Sequence, residues 1–294
     1  MPEQFELLNS LESCVNVENV TLQLLVNSTA RVSKSGSLLD MVMHHHSYTE
    51  LFVCGSGKII IDTQDGPICL SAGDAAIVPS NYLHCKRADN SDAKWLTAGF
   101  CCVRRTVRDC RDLCHKFEVL TGAGSILVWQ NVPGLYRMME SIMELSTSRN
   151  SLLPALELAQ ILLRLTDLLP ADAKTTVSLE SQPDGADLDI RRMAVLDYLI
   201  NSCFTSDFND SDVAQRLYIS ERQLSRIVQK WYGNTLRRII IEKRIVTAAQ
   251  LLQKTSISTD QIGYSVGFQS KSVFSREFQK LYGVTPAVYR KTSI

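Results

Sequence analysis

Ser220–Thr235 reads SERQLSRIVQKWYGNT, and Ser270–Thr285 reads SKSVFSREFQKLYGVT. The stretches lie 50 residues apart and agree at eight of sixteen positions: Ser220/Ser270, Ser225/Ser275, Arg226/Arg276, Gln229/Gln279, Lys230/Lys280, Tyr232/Tyr282, Gly233/Gly283 and Thr235/Thr285. Chance gives about one such match, so a single structural unit is used twice. Upstream the correspondence continues at a spacing of 49, with Val213, Leu217 and Ile219 answering Ile262, Val266 and Phe268.

Each copy predicts two helices joined by a tight turn. In the first, Asp210 or Ser211 caps a short helix over 212–217 with Val213, Ala214 and Leu217 on its apolar face. The Tyr218-Ile219 turn leads to Ser220, an N-cap for a second helix whose buried stripe is Leu224, Ile227, Val228 and Trp231. Gly233 supplies the left-handed stop. The second copy repeats the plan. Thr259 caps, Ile262 and Val266 pack, Gly267 turns, Ser270 caps again, Phe274, Phe278 and Leu281 pack, and Gly283 ends the helix. Between the copies, 236–253 carries a helical pattern decorated by Arg237, Arg238, Lys243 and Arg244; at ~1.5 Å per residue it spans about 27 Å. That length suits two readers about one DNA turn, roughly 34 Å, apart.

The outward faces of the two second helices carry Glu221, Arg222, Ser225, Arg226 and Gln229, then Lys271, Ser272, Ser275, Arg276 and Gln279. These groups hydrogen-bond base edges and phosphates, and Arg takes guanine bidentately. A solvated face on a helical bundle, or a protein-interaction bundle, is the competing reading. The repeated Ser-Arg step argues against both. Charge distribution agrees. Residues 186–294 hold 16 Lys+Arg against 10 Asp+Glu, and residues 1–185 hold 15 against 21, so a basic half follows an acidic one within a chain of zero net charge.

These residues resemble the AraC/XylS family of bacterial transcription regulators. The resemblance covers about 188–292 and centres on IGYSVGFQSKSVFSREFQKLYGVTPAVYR, where Gly267, Phe268, Phe274, Arg276, Phe278, Gly283, Pro286, Tyr289 and Arg290 match the family signature. Gly263 departs from it, standing where Ala is usual. A glycine inside a short helix costs about 1 kcal/mol relative to Ala, which predicts a less rigid second unit. The resemblance implies base contacts from Arg222, Ser225 and Arg226 and from Lys271, Ser272 and Arg276. Lys230, Lys280, Arg290 and Lys291 are candidate phosphate contacts.

The first half reads differently. From Thr21 to about Arg105, TLQLLV, KIIID, ICL and AAIVP are short β-forming runs separated by turn residues, which predicts a sandwich or small barrel. From about 106 to 169 the pattern turns helical, with two amphipathic helices at 133–147 and 152–169. His44-His45-His46-Ser47-Tyr48-Thr49-Glu50, with Gly57 seven residues on, and Gly73–His84, GDAAIVPSNYLH, look like the two cupin motifs. His44, His46, Glu50 and His84 fall at the four metal-ligand positions of that family. Strand alternation puts His44 and His46 on one face. The second motif is eroded, with Asn81 where glycine is usual and Ala88 where asparagine is frequent. A metal-free sensory pocket is the favoured reading, with His44, His46, Tyr48, Glu50, His84 and Trp95 as effector-binding residues. A metal held by His44, His46, Glu50 and His84 is the alternative.

Nine cysteines without a CxxC pair exclude a disulfide framework or zinc ribbon. Cys110, Cys114 and His115 could share a helix face as a metal or oxidant site, though buried free thiols are the simpler reading. An acidic beginning and the lack of a long apolar run predict an intracellular chain without a membrane span. The expected architecture is α+β and multidomain. A cupin-like β-barrel plus helices occupies 1–170, a linker 171–187, and an all-α domain with two helix-turn-helix units 188–294. The expected protein is a non-enzymatic, cytoplasmic, sequence-specific transcription regulator, with activator and repressor roles both open. It needs no cofactor. Its partners are double-stranded DNA, an unknown small-molecule effector and RNA polymerase, and it forms a homodimer through the barrel and the helices at 133–147 and 152–169. The alternative function is a cupin metalloenzyme carrying a DNA-binding tail.

Overall fold

The computed structural model describes residues 12–17, 20–25, 42–89, 93–104, 111–122, 124–145, 152–169, 186–202, 204–207 and 209–292. The chain forms two compact units, one of residues up to Val195 (Leu38–Val42 aside) and one from Leu196 onward. Most of the 171–187 stretch, and Cys110, lie outside the described residues.

The first unit is built on antiparallel strands: β1 (Glu12–Val17), β2 (Val20–Leu25), β3 (Thr49–Ser56), β4 (Lys58–Thr63), β5 (Gly66–Ser71), β6 (Ala75–Val78), β7 (His84–Ala88), β8 (Lys94–Arg104) and β9 (Leu127–Trp129). They make a six-stranded sheet in the order β1-β2-β8-β3-β6-β9 and a three-stranded sheet in the order β5-β4-β7. Strand alternation divides the large sheet into two faces. Phe52, Cys54, Ala76, Val78 and Trp95 point toward Ile59, Ile61 and Leu70 of the small sheet. Leu51, Val53, Ala75, Ile77, Leu96, Ala98 and Phe100 point the other way, toward helices α1 (Arg111–Gly122), α2 (Leu135–Leu145) and α3 (Leu152–Asp167).

The strands therefore form two facing sheets. The predicted barrel is not closed among the described residues, because the small sheet hydrogen-bonds within itself. Beyond itself it pairs with His44, which lies outside the strands, with His44 N donating to His84 O at 2.8 Å and the reverse bond at 2.9 Å. The amphipathic stripes of α2 and α3, offered from sequence as a dimer contact, are spent inside the unit. Leu135, Met138, Met139 and Ile142, then Leu158, Ile161, Leu162 and Leu165, are all buried against the large sheet. A buried Leu or Ile gains ~1.5–3 kcal/mol over an exposed one, so this face is committed to the fold.

The second unit is all-helical. α4 (Ala186–Ser202) runs into it, followed by α5 (Asp210–Arg216), α6 (Glu221–Tyr232), α7 (Leu236–Lys254), α8 (Thr259–Ser265), α9 (Lys271–Tyr282) and α10 (Pro286–Thr292). The caps differ from expectation at three places. Asn209, not Asp210 or Ser211, caps α5 through a capping box with Asp212. Ser258, not Thr259, caps α8 with Gln261. Ser220 does cap α6, with Gln223 closing the box. Ser270 sits at the N-cap of α9 without capping the backbone, its hydroxyl sharing a hydrogen bond with Ser272 at 2.8 Å. No capping box can close there either, because α9 carries Val273 where α6 has Gln223.

The α5–α6 turn holds Tyr218 at φ +52°, and the equivalent α8–α9 turn holds Gly267 at φ +98°. Gly233 and Gly283 end α6 and α9 in the left-handed conformation, as expected. Leu281 is 40% exposed rather than packed. The stripe of α9 runs through Phe274, Phe278 and Tyr282 at a spacing of four, with Tyr282 stacked on Phe278 at 4.9 Å. Trp231 is only half-buried. α7 is a single 19-residue helix with Leu236, Ile240, Ile245, Ala248, Ala249, Leu251 and Leu252 buried. Both helix pairs pack on it.

Candidate DNA-binding face and histidine cluster

The residues proposed to read DNA fall on the exposed sides of α6 and α9. Arg222, Ser225, Arg226 and Lys230 are all exposed on α6. The three cations there make no hydrogen bond or ion pair among the described residues. On α9, Lys271, Ser272, Arg276 and Lys280 are exposed and Ser275 is half-buried. These cations are already engaged. Lys271 Nζ lies 2.8 Å from Asp260 Oδ2 on α8. Arg276 Nε and Lys280 Nζ lie 3.3 and 3.0 Å from one oxygen of Glu277. Glu277 is held from its other oxygen by Arg238 Nη1 on α7 at 3.2 Å. Hydrogen bonds from Lys280 and Arg276 keep its carboxyl below the usual range, against the opposing effect of burial. Glu277 was not singled out from sequence, and Arg238 was named only as one of the cations decorating the spacer. The available signal was Glu277 itself, standing where the first copy has Ile227.

Arg290 is not a free phosphate contact. Its guanidinium donates to the carbonyls of Leu252 and Ile257, closing the C-terminal end of α7, where unpaired carbonyls need donors. The α7 cations are structural in the same sense. Arg244 donates to the carbonyls of Phe204 (2.7 Å) and Ser206 (3.1 Å). Lys243 donates to Asn201 Oδ1 at 2.7 Å, and burial pushes its ammonium down to about 8 despite the nearby Asp197. Of the four cations expected to decorate α7, Arg237 alone is exposed.

Gly263 is not a weak point in α8. It is buried, and a Cβ placed there would lie 2.8 Å from Phe274 Cδ1 and 3.0 Å from Cγ. The missing methyl is the space that the Phe274 ring occupies.

In the first unit His44, His46, Glu50 and His84 come together, one ligand atom from each lying within 4.8 Å of the others. His46, Glu50 and His84 are 1%, 6% and 0% exposed. The 44–46 segment is an isolated bridge at His44 followed by irregular chain rather than a strand, yet it keeps the alternation, with His45 outside and His46 inside. His46 Nδ1 lies 2.8 Å from Tyr48 O, and His84 Nδ1 lies 2.8 Å from Tyr82 O. A carbonyl oxygen only accepts, so each Nδ1 carries a proton and each ring turns its Nε2 inward. Those two Nε2 atoms stand 3.2 and 2.9 Å from Glu50 Oε2. Burial pushes the Glu50 carboxyl up, but the charge of Lys86 and the two histidine contacts outweigh it and hold it well below the usual carboxylate range. Each Nε2 at this distance either donates a proton to the carboxylate oxygen or offers a lone pair to a cation held between them.

The donor set and the carbonyl-fixed tautomers thus fit a divalent metal, for which an N–H held by backbone is the usual outer support. Tyr48 stacks on His46 with ring centres 3.7 Å apart and an interplanar angle of 3°, fixing that ring's orientation. Asn81, where a glycine was expected, takes φ +60° itself, and its N–H donates to His46 O at 2.6 Å. The eroded position therefore keeps the glycine's conformation. Trp95 does not join the cluster. It pairs with Cys54, while Glu50 pairs with Gly99, so four residues of strand separate them, and Trp95 is buried in the apolar layer between the sheets. His115 faces Glu118 at 3.8 Å.

Residues 213–292 match the helix-turn-helix domain family. The chain is 24% identical over 243 residues to the Msm operon regulatory protein of Streptococcus mutans, covering 81% of each chain. It is 39% identical over 75 residues to the HTH-type transcriptional regulator ArgR of Pseudomonas aeruginosa, covering 26% of this chain and 23% of that one. Among solved structures it resembles the DNA-binding domain of AdpA, a global transcriptional factor, in complex with a target DNA (26% identity, 33% of this chain and 87% of that one, TM-score 0.32). With the paired helix-turn-helix units and their exposed cations, the family match and the regulator relatives define a DNA-binding transcription regulator. No helix among the described residues is long and apolar enough to cross a membrane.

Proposed function

We propose that this regulator answers to a small molecule bound in its first unit at His44, His46, Glu50 and His84, with Tyr48 stacked behind His46, and that the outcome is passed to RNA polymerase at a promoter. One observation carries the proposal: four polar side chains gather in a buried site to which DNA binding assigns no role. The effector controls DNA binding only by favouring one arrangement of the chain over another. Arg222, Ser225, Arg226, Lys271, Ser272 and Arg276 face base edges, while Lys230 and Lys280 face phosphates. The unit is sensory and not catalytic, and the protein works in the cytoplasm, where bacterial DNA lies. It acts as a homodimer. Because α2 and α3 bury their stripes internally, the contact falls to the outer side of α3, where Leu153 and Leu156 are 41% and 40% exposed.

A thermal-shift screen of metabolite-sized acids, sugars and amines tests the sensory role. A hit should stabilise the wild-type chain, lose its effect in His46→Ala, and change the affinity for DNA. A library that shifts both proteins alike would sink the idea.

The fixed tautomers favour a second reading, in which a divalent cation sits at the same four residues. Bound there it would supply a Lewis-acid anchor for an effector oxygen, while Tyr48 and the Tyr48 and Tyr82 carbonyls keep the imidazoles oriented. Metal analysis of the purified chain decides this. One equivalent of zinc, nickel, manganese or iron, absent from His46→Ala, establishes the cation. Catalysis that depends on it would establish the metalloenzyme alternative.

A further inference from the structure

The two recognition helices are built to one plan but are not equivalent. Arg226 and Lys230 of α6 correspond to Arg276 and Lys280 of α9. In α6 the residue after the arginine is Ile227, 8% exposed and apolar. In α9 it is Glu277, 7% exposed and covered by Arg238, Arg276 and Lys280. Arg276 meets Glu277 through Nε, its side chain remaining 63% exposed. Its Nη groups make no hydrogen bond among the described residues. A guanidinium gripped at Nε keeps its Nη1/Nη2 edge for another acceptor pair, and that edge matches guanine O6 and N7. Glu277 is fixed in turn, because Arg238 holds its second oxygen at 3.2 Å and is itself tied to Glu242 at 2.8 Å.

We infer that Glu277 is a positioning residue for DNA recognition: anchored by Arg238 of the α7 spacer, it presents the Nη edge of Arg276 to a base pair and draws Lys280 toward the same point. This rests on Arg276 being a base reader. The consequence is a division of labour. α6 grips with unpaired cations. α9 gives up part of its attraction for phosphate, through a buried negative charge, in return for a fixed arginine.

The test uses the full chain and a duplex selected by the wild-type protein from a randomised pool, together with its single-position variants and a scrambled duplex, read by fluorescence anisotropy at several salt concentrations. Arg276→Ala should erase the preference at one base pair, by about 5- to 100-fold. Glu277→Ile, which installs the residue of the first copy, should lower discrimination at that same base pair by about threefold or more. It should also bind the scrambled duplex more tightly, because a charge that opposes phosphate is gone. The double variant should discriminate no worse there than Arg276→Ala alone. If Arg276→Ala leaves every preference intact, the base-reader assignment fails and the inference with it. If Arg276→Ala relaxes one position while Glu277→Ile leaves it untouched, or weakens all duplexes equally, the positioning role alone is overturned. Glu277→Gln, which keeps the shape and removes the charge, carries the same comparison should Glu277→Ile not fold.

Discussion

Replacing Gly263 by alanine sets two well-defined effects against each other. Gly263 lies inside α8, where exchanging glycine for alanine gains ~1 kcal/mol of helix propensity. Its new Cβ would stand 2.8 Å from Cδ1 and 3.0 Å from Cγ of Phe274. Ordinary contact begins near 3.4 Å, so the ring must retreat by roughly 0.6 Å. It has nowhere easy to go. Phe274 is 1% exposed, with Phe268 and Phe278 at ring-centre distances of 5.4 and 5.8 Å. Overpacking a closed core costs ~1–3 kcal/mol, which exceeds the gain and leaves a net loss of about 1 kcal/mol. For a domain of this size that is a fall of ~4–8 °C in Tm. Calorimetry of the full chain would give the shift, and hydrogen exchange over 259–282 would localise it. The first copy indicates the remedy, since Ala214 and Leu224 stand at the positions of Gly263 and Phe274. Gly263→Ala with Phe274→Leu should therefore be more stable than the sum of the single changes by ~1 kcal/mol or more. A Gly263→Ala chain as stable as wild type, or an additive double variant, would refute the packing argument.

Other perturbations have equally definite outcomes. Arg226→Ala should relax preference at one base pair by ~1–3 kcal/mol, whereas Lys230→Ala should weaken all duplexes alike and lower the salt slope by about 1; electrophoretic titrations at several ionic strengths separate the two. Lys243 has a folded pKa of about 8, against ~10.4 in an unfolded chain, because burial penalises its charge. Between those values the unfolded state holds more protons, so stability rises with pH. Relative to Lys243→Met, the wild type should gain ~2 kcal/mol from pH 7 to pH 10 in urea titrations, and a flat difference would contradict the assignment. Tyr218→Gly should raise the stability of the second unit by ~0.5 kcal/mol, since a left-handed φ of +52° strains a tyrosine and not a glycine.

What the sequence disclosed followed from periodicity and local turn chemistry. The paired helices, the spacer and the left-handed stops at Gly233 and Gly283 all announce themselves within a turn or two of chain. Four strands were legible in TLQLLV, KIIID, ICL and AAIVP because turn residues bound them. β3 was not, because Thr49–Cys54 is buried on both faces and so shows no alternation. β8 was hidden likewise, being buried on both faces from Trp95 to Phe100, and β7 was hidden by His84, Lys86 and Arg87 in an edge strand. In the histidine site the four ligand-type residues were legible, since two short motifs held them at fixed spacings. Their hydrogen-bond state was not, because it depends on the carbonyls of Tyr48 and Tyr82, which no side-chain pattern encodes. Trp95 was misplaced for a related reason: an aromatic near the motifs in sequence sits four residues of strand away from them in register.

The repeat itself separates what the fold demands from what recognition demands. Positions that keep the architecture are the same or exchanged in compensating pairs, as Ala214 with Leu224 answers Gly263 with Phe274. Positions that differ without compensation cluster around the readers. Gln223 closes a capping box and Val273 does not. Ile227 seals a core edge, and Glu277 ties down three cations. Tyr218 tolerates strain in a turn where Gly267 relieves it, and Tyr218 is 92% exposed beside the start of α6. A left-handed glycine would hold that turn at less cost, so packing does not account for the tyrosine. Once the core is satisfied, the uncompensated changes fall beside the outward-facing cations, where they let the two helices take on different base pairs of a single site.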